Sequence, residues 1–422
     1  MGVRQPSAAI AVLLVTAAVA ACSAGTKTTA GGTPRPRPAA AGGSPRAGGV
    51  VRVPRGLPGC SAATASGPLL RTVPTSVEPV PSTPFGVVVT GDGHWAFVAL
   101  AGSGVVGAFR VAGPGVPSLV RQVSTGGQTL GEALTPDGRY LLAADDADGA
   151  AVISVSRAES GQARPLLGVL GSESAGGAIE VAVPPGGHFA FVSLEDSGSI
   201  AVYDLRQALA DGFRAADLVG MIPLGIAPVG LAVSPDGRWL YATSEVAAGR
   251  PPGSSPLGGR GTLTVIGLAR AETDPAGSVV STVEAGCSPV RVVTSAGGGV
   301  VWVTARGSDR LLGFSAARLR TDPAHALVAS VGVGEAPVGL MLVDDGTRIV
   351  VADSNRFGAA GAASGLAVVS VPAALAGRPA LIGYLRAGGF PREMALEPDG
   401  RTLLVGNFTS EQLEAVDVAV LP

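Results

Sequence analysis

Between Val229 and Thr243 the chain reads Val-Gly-Leu-Ala-Val-Ser-Pro-Asp-Gly-Arg-Trp-Leu-Tyr-Ala-Thr, an alternating apolar run, a polar break and a second apolar run. Period-two alternation predicts two strands joined by a tight turn. In the break, proline presets φ at the first corner, aspartate tolerates the second, and glycine takes the left-handed position that closes the hairpin. Leu130–Ala144 and Arg392–Asn407 repeat the pattern closely, and weaker copies begin at Pro84, Ala178, Pro289 and Pro337. Further runs such as Thr262–Leu268 and Val279–Val283 predict a third and a fourth strand behind each hairpin.

Aligned starts at residues 84, 129, 178, 228, 289, 337 and 391 make seven units, spaced by 45 to 61 residues. That is close to the length of a four-stranded propeller blade. A lone four-stranded sheet leaves both faces wet, so neighbours must cover them and the units must close into a ring. The expectation is an all-β, seven-bladed β-propeller spanning 65–422; the alternative is six blades plus a stray one. The last unit stops after a third strand, Leu413–Val418, so an N-terminal strand is expected to complete the C-terminal blade. Leu69–Val73 (LLRTV) is the run predicted to do so.

The turn-plus-strand pattern resembles that of the YVTN-repeat propellers, within the broader YncE-like and lactonase-like seven-bladed group. The family tetrad falls on Tyr241–Ser244, Leu404–Asn407, Phe191–Leu194, Phe97–Leu100 and Val350–Asp353. Only Asn407 keeps the asparagine of that tetrad, so the resemblance is to a diverged member. It implies a fold and carries no mechanism by itself.

The first 21 residues read differently. Arg4 precedes an apolar run, Ala8–Ala21, that is short for a membrane span and shaped like an export signal. Val19-Ala20-Ala21-Cys22 resembles the bacterial lipobox, which implies cleavage before Cys22 and lipidation of its thiol. Residues 22–64 then read as a Gly/Ala/Pro-rich tether without apolar periodicity. The chain is thus expected to be an extracytoplasmic lipoprotein held at the cell membrane by Cys22.

Sixty-three glycines, 33 prolines and only 15% charged residues fit many short strands and tight turns. With a formal net charge of −2 and scattered arginines there is no basic stripe, so nucleic acid is not an expected partner. No Gly-x-Ser-x-Gly elbow, lysine-bearing phosphate loop or Cys-x-x-Cys pair is present. His94, His188 and His325 fall in turns and connections away from the expected ligand face, and Trp95, Trp239 and Trp302 recur as packing aromatics. No cofactor or metal is expected, and a monomer is.

Candidate site residues come from the repeat register. The inner-strand position held by Gly86, Gly131, Gly230 and Gly339 carries Glu180, Arg291 and Glu393 in the other blades, with Arg392 adjacent. These four could grip a polar ligand at the channel mouth, or could pair with one another. Asp353 and Asn407, ending two tetrads, join them as ligand-binding candidates. Asp145, Asp146, Asp148, Glu195, Asp196, Glu245, Asp309 and Asp353 are expected as a rim of solvated loop acids. The insertions Val246–Gly261 and Phe357–Ser364 extend loops on that same face. Cys60 and Cys287 remain after Cys22; a disulfide would draw 55–68 across the ligand face, and two free thiols are the other possibility.

Three functions compete. The first is a non-enzymatic scaffold binding a small polar ligand or an envelope protein. The second is a lactonase-like hydrolase in which Arg291 or Arg392 polarises a carbonyl and Glu180 or Glu393 acts as base. The third is an accessory role in envelope assembly or redox.

Overall fold

The computed structural model describes residues 50–422, apart from 62, 148, 172–175, 248–258 and 359–364. The expected signal segment, Cys22, most of the tether, Asp148 and the middles of both insertions lie outside the described residues.

The described strands form seven four-stranded antiparallel sheets. Blade 1 is β2 (Pro84–Val89), β3 (Trp95–Leu100), β4 (Val105–Arg110) and β5 (Ser118–Ser124). Blade 2 is β6 (Thr129–Leu134), β7 (Tyr140–Asp145), β8 (Gly149–Ser154) and β9 (Leu166–Gly171). Blade 3 is β10 (Ala178–Ala182), β11 (Phe189–Leu194), β12 (Ser199–Asp204) and β13 (Leu218–Pro223). Blade 4 is β14 (Ile226–Val233), β15 (Trp239–Val246), β16 (Arg260–Gly267) and β17 (Val279–Cys287). Blade 5 is β18 (Pro289–Thr294), β19 (Val300–Ala305), β20 (Arg310–Ser315) and β21 (Leu327–Gly332). Blade 6 is β22 (Pro337–Val343), β23 (Arg348–Asp353), β24 (Gly365–Ser370) and β25 (Leu381–Arg386). Blade 7 is β26 (Pro391–Leu396), β27 (Thr402–Asn407) and β28 (Gln412–Asp417), completed by β1 (Thr75–Pro79).

Each inner strand adjoins the inner strand of the next blade, and β26 adjoins β2, so the circle is complete. Dry packing between facing sheets follows: Phe191, Ile200, Val202 and Ile222 of blade 3 share one core with Leu240, Ala242 and Ile266 of blade 4. Trp302 is fully buried between blades 5 and 6. Trp239 is half-buried, its ring under the Arg320 guanidinium at 4.7 Å.

The hairpin turns form as their sequences predict. Gly93, Gly138, Gly237 and Gly400 have φ between 65° and 70°. In the Ser-Pro-Asp-Gly turn the Ser234 hydroxyl accepts from Trp239 N–H at 3.0 Å and donates to Asp236 at 2.5 Å. Thr90 and Thr135 repeat this in blades 1 and 2. One class of element was not foreseen. A helix of four to seven residues follows the third strand in blades 2 to 6: α1 (Val155–Ser160), α2 (Leu205–Asp211), α3 (Leu268–Ala271), α4 (Ala316–Thr321) and α5 (Val371–Leu375). Such helices are too short to show a helical period, and they rest on caps such as Asp204, which accepts from Gln207 N–H.

Ring closure differs from expectation in its register. The strand pairing with β28 is Thr75–Pro79, with Thr75 opposite Val416 and Pro79 opposite Gln412, and not Leu69–Val73. Leu69 instead forms a single parallel bridge to Tyr384, and Leu70 and Val73 pack into the core shared by blades 6 and 7.

The segment before it is part of the folded body. Arg52 N–H donates to Thr282 O and Glu284 N–H to Arg52 O, both on β17. Ala65 N–H donates to Val333 O after β21, and Pro68 and Leu70 bond Tyr384 of β25. Residues 52–70 therefore follow the outer strands of blades 4, 5 and 6 as a belt, fastened by a Cys60–Cys287 disulfide. The belt reaches the rim of the ligand face only through Thr64, which donates to Asp309, and the strands that its backbone meets are the outermost of their blades, so the expected crossing of that face is not seen.

Candidate functional site

Seven inner strands converge on the axis, and the glycines on them are there for space. A Cβ on Gly339 would lie 1.8 Å from the carbonyl oxygen of Arg392, and one on Gly131 would lie 2.7 Å from that of Ile179. Where blades 3, 5 and 7 carry Glu180, Arg291 and Glu393 instead, the side chains meet one another. Arg291 Nε makes a very short contact with Glu393 Oε1 and lies 3.4 Å from Glu180 Oε2, and its Nη1 donates to Val229 O at 3.2 Å. None of these three blades adjoins another, so the ion pairs span the axis.

The backbone beneath is pinned from the second strand. Arg291 N–H donates to Thr304 Oγ1, whose hydroxyl donates to Val338 O of the next blade at 2.7 Å. Thr243 links Gly230 N–H to Val290 O in the same way, and Ser193 accepts from Glu180 N–H. A hydroxyl at the third tetrad position thus sets both the blade and its neighbour.

Burial pushes the Glu180 carboxyl up to about 8, against the pull of Arg291 and with help from the neighbouring Glu393. Burial works against charge on Arg291, but Glu393 and Glu180 outweigh it and raise the guanidinium. Two carboxyls thus face one cation, and burial favours a proton on Glu180. Glu132, one residue past Gly131, is a member that the sequence reading missed. It is 7% exposed, and burial holds its carboxyl well above the usual range, with Glu180 acting in the same direction.

Arg392 stands beside this group in a different setting. Its guanidinium lies 3.8 Å from the Phe85 ring centroid, 5.2 Å from Phe390 and 5.3 Å from Phe408. Burial, seconded by the charge on Arg291, pulls it down to about 9. Phe390 precedes Pro391 with φ at 54°; Ala227, Ser288 and Ala336 precede their inner-strand prolines in the same left-handed conformation. This repeated kink puts residue Phe390 at the mouth, where Arg356 lies 5.9 Å from its ring. Alongside, Arg306 and Glu245 form a buried ion pair at 2.6 Å. Burial, together with Glu245 and Asp196, raises Glu195.

The structure thus brings Glu180, Arg291, Arg392 and Glu393 together and leaves Asp353 and Asn407 apart from them. Asn407 Nδ2 donates to Glu414 at 2.8 Å, and a Cβ on Gly388 would lie 2.7 Å from that amide nitrogen. Asp353 lies under Gly334 and Asp145 under Gly127 in the same way, so the tetrad's last residue holds down the crossover that enters its own blade. The expected solvated rim is largely buried: Asp145, Asp309 and Asp353 are each 1% exposed. Asp309 accepts from Ala336 N–H and from the Thr64 hydroxyl, fixing both the next crossover and the belt. His94 and His188 are exposed in hairpin turns, and His325 pairs with Asp322. Among the described residues no cluster of His, Cys, Asp and Glu is arranged to hold a metal.

Comparison with solved structures bears on the fold. A chain described as Kuenenia stuttgartiensis hydrazine synthase matches with a TM-score of 0.64 at 16% identity, covering 80% of this chain and 96% of its own. A chain from the crystal structure of a mitotic checkpoint complex matches with a TM-score of 0.63 at 16% identity, covering 85% and 98%. At that identity the likeness is one of fold. This is a seven-bladed β-propeller. No family model and no curated protein matches the sequence. Charge, aromatic rings and the inner strands converge at the axial mouth of the propeller.

Proposed function

We propose that this propeller is a diverged YVTN-type, YncE-like lipoprotein, anchored outside the cytoplasm through Cys22, that binds a small polar ligand or an envelope protein at its channel mouth. One observation carries the binding reading: Arg392 and Arg356 stand with Phe390 and Phe408 at the mouth, all four partly accessible to solvent. Cations held on aromatic faces at the axis of a rigid ring make a preorganised polar site. The hydrolase reading is weaker because both of its candidate bases, Glu180 and Glu393, are engaged by Arg291, which leaves Arg392 as a polarising cation without a free base.

Two measurements test this. Cells fed a labelled fatty acid should incorporate it into the chain, and Cys22→Ser should abolish the label and release the protein from membranes; an unlabelled chain removes the lipoprotein assignment. Native purification followed by mass spectrometry and in-cell crosslinking should recover a ligand or a stoichiometric partner, depleted in Arg392→Gln. Turnover of a lactone panel that is lost in Glu393→Gln would replace the scaffold with an enzyme.

A further inference from the structure

The binding reading leaves open what chemistry the mouth accepts, and the pairing of its charges decides that. Four guanidiniums gather there. Arg291 is matched by Glu393 and Glu180, and Arg306 by Glu245. Arg392 and Arg356 are different: among the described residues neither meets a carboxylate within ion-pair distance, and Arg392 Nε is buried without a hydrogen-bond partner. The cations acting on Arg392 are Arg291, Arg356 and Arg306, against Glu393 and, more weakly, Glu180. The acids nearest these arginines are committed or pushed toward their neutral form: Glu393 to Arg291, Glu245 to Arg306 and Ser288, and Glu195 raised by burial.

The rings define the rest of the site. An arginine lying on an aromatic face keeps the N–H groups of its edge directed outward, the geometry that matches a carboxylate fork. Phe85, nearly buried, backs Arg392, while Phe390 and Phe408 keep part of their surface open and lie 5.6 Å apart. We propose that the mouth binds a small organic anion, a carboxylate on an apolar body, with Arg392 and Arg356 on the carboxylate and Phe390 and Phe408 against the body. This rests on the mouth being a ligand site, and it names the ligand's class.

The test is calorimetric titration of the full chain in detergent with benzoate, acetate, inorganic phosphate and benzylamine. Benzoate should bind, and acetate about tenfold more weakly for want of an apolar body. Arg392→Gln and Arg356→Gln should each weaken benzoate about tenfold. Phe390→Ala should weaken benzoate and leave acetate unchanged, and Arg401→Gln, in a hairpin turn of blade 7, should change nothing. Should Arg392→Gln fold poorly, Arg356→Gln with an unchanged melting temperature carries the test. Phosphate binding that matches benzoate and ignores Phe390→Ala overturns the apolar-body claim. Binding of benzylamine alone, lost in Glu195→Gln, overturns the anion claim and leaves the mouth a ligand site. Absence of binding for all four probes overturns the inference, and it reaches the ligand-site reading only if native purification also recovers no ligand.

Discussion

At the scale of single residues the axial charges behave as one unit, and pH is the way to address it. Glu180 has a folded value of about 8 against an ordinary 4.5, so the folded state holds its proton more tightly than the unfolded chain. The stability this contributes is fully present below 4.5 and is lost as pH rises through 8. Glu132 is raised in the same sense. Melting temperature should therefore fall between pH 5 and pH 8.5, and Glu180→Gln should remove part of that slope; an unchanged slope would mean that Glu180 is ionised throughout. Arg291→Met is a different case, because it strips the cation from between two carboxyls while leaving both in place. Removing one partner of a buried pair costs about 3–5 kcal/mol, measurable by denaturant unfolding, and restoring charge balance with Glu393→Gln should recover part of it. Glu180, Arg291 and Glu393 were legible because they break a register otherwise filled by glycine, and Arg392 because it stands beside one of them. Glu132 was not, since the glycine beside it kept that register intact, and Phe390 and Arg356 sit in loops whose aim depends on a left-handed kink and a ring contact.

Among the strands and turns, two glycines that look alike in sequence serve opposite physical needs. Gly400 closes a hairpin with φ at 70° and nothing within 4 Å of an added Cβ, so Gly400→Ala carries only the conformational cost of about 1–2 kcal/mol. Gly339 needs no unusual backbone but faces Arg392 O at 1.8 Å from its missing Cβ. Gly339→Ala must part blades 6 and 7, at roughly 3 kcal/mol or more, and should also weaken any ligand held by Arg392. Equal losses in the two variants would show that the inner strands have slack. The hairpins were legible because the Pro-Asp-Gly turn is local chemistry flanked by period-two runs. The closing strand was not, for a reason that lies in its place: β1 (TSVEP) is an edge strand exposed at every residue, so it carries no apolar alternation. Leu69 and Leu70 gave the stronger apolar signal, but Leu69 only bridges Tyr384 and Leu70 packs into the seam between blades 6 and 7.

For the whole molecule, the N-terminal segment secures the ring twice, by independent means. Thr75–Pro79 completes blade 7 through backbone pairing, and residues 52–70 girdle blades 4 to 6 under the Cys60–Cys287 bond. The bond joins residues 227 apart, a long loop whose closure restricts the unfolded chain, worth roughly 2–5 kcal/mol. Its two attachments should fail separately. Reduction, or Cys60→Ser, should expose 50–61 to protease and raise hydrogen exchange there, while Ala65 stays bonded to Val333 and Tyr384 at the belt's far end and β1 stays paired with β28. Replacing Ser76 with proline should act at the other attachment, removing a ladder donor from the closing strand and lowering the unfolding midpoint of the entire ring. If reduction alone unfolds all seven blades cooperatively, the belt is not a separate unit and the disulfide itself closes the propeller. If the belt loosens while the ring's melting transition persists at a lower temperature, the belt and the closing strand are separate attachments, and blade 7 alone closes the ring.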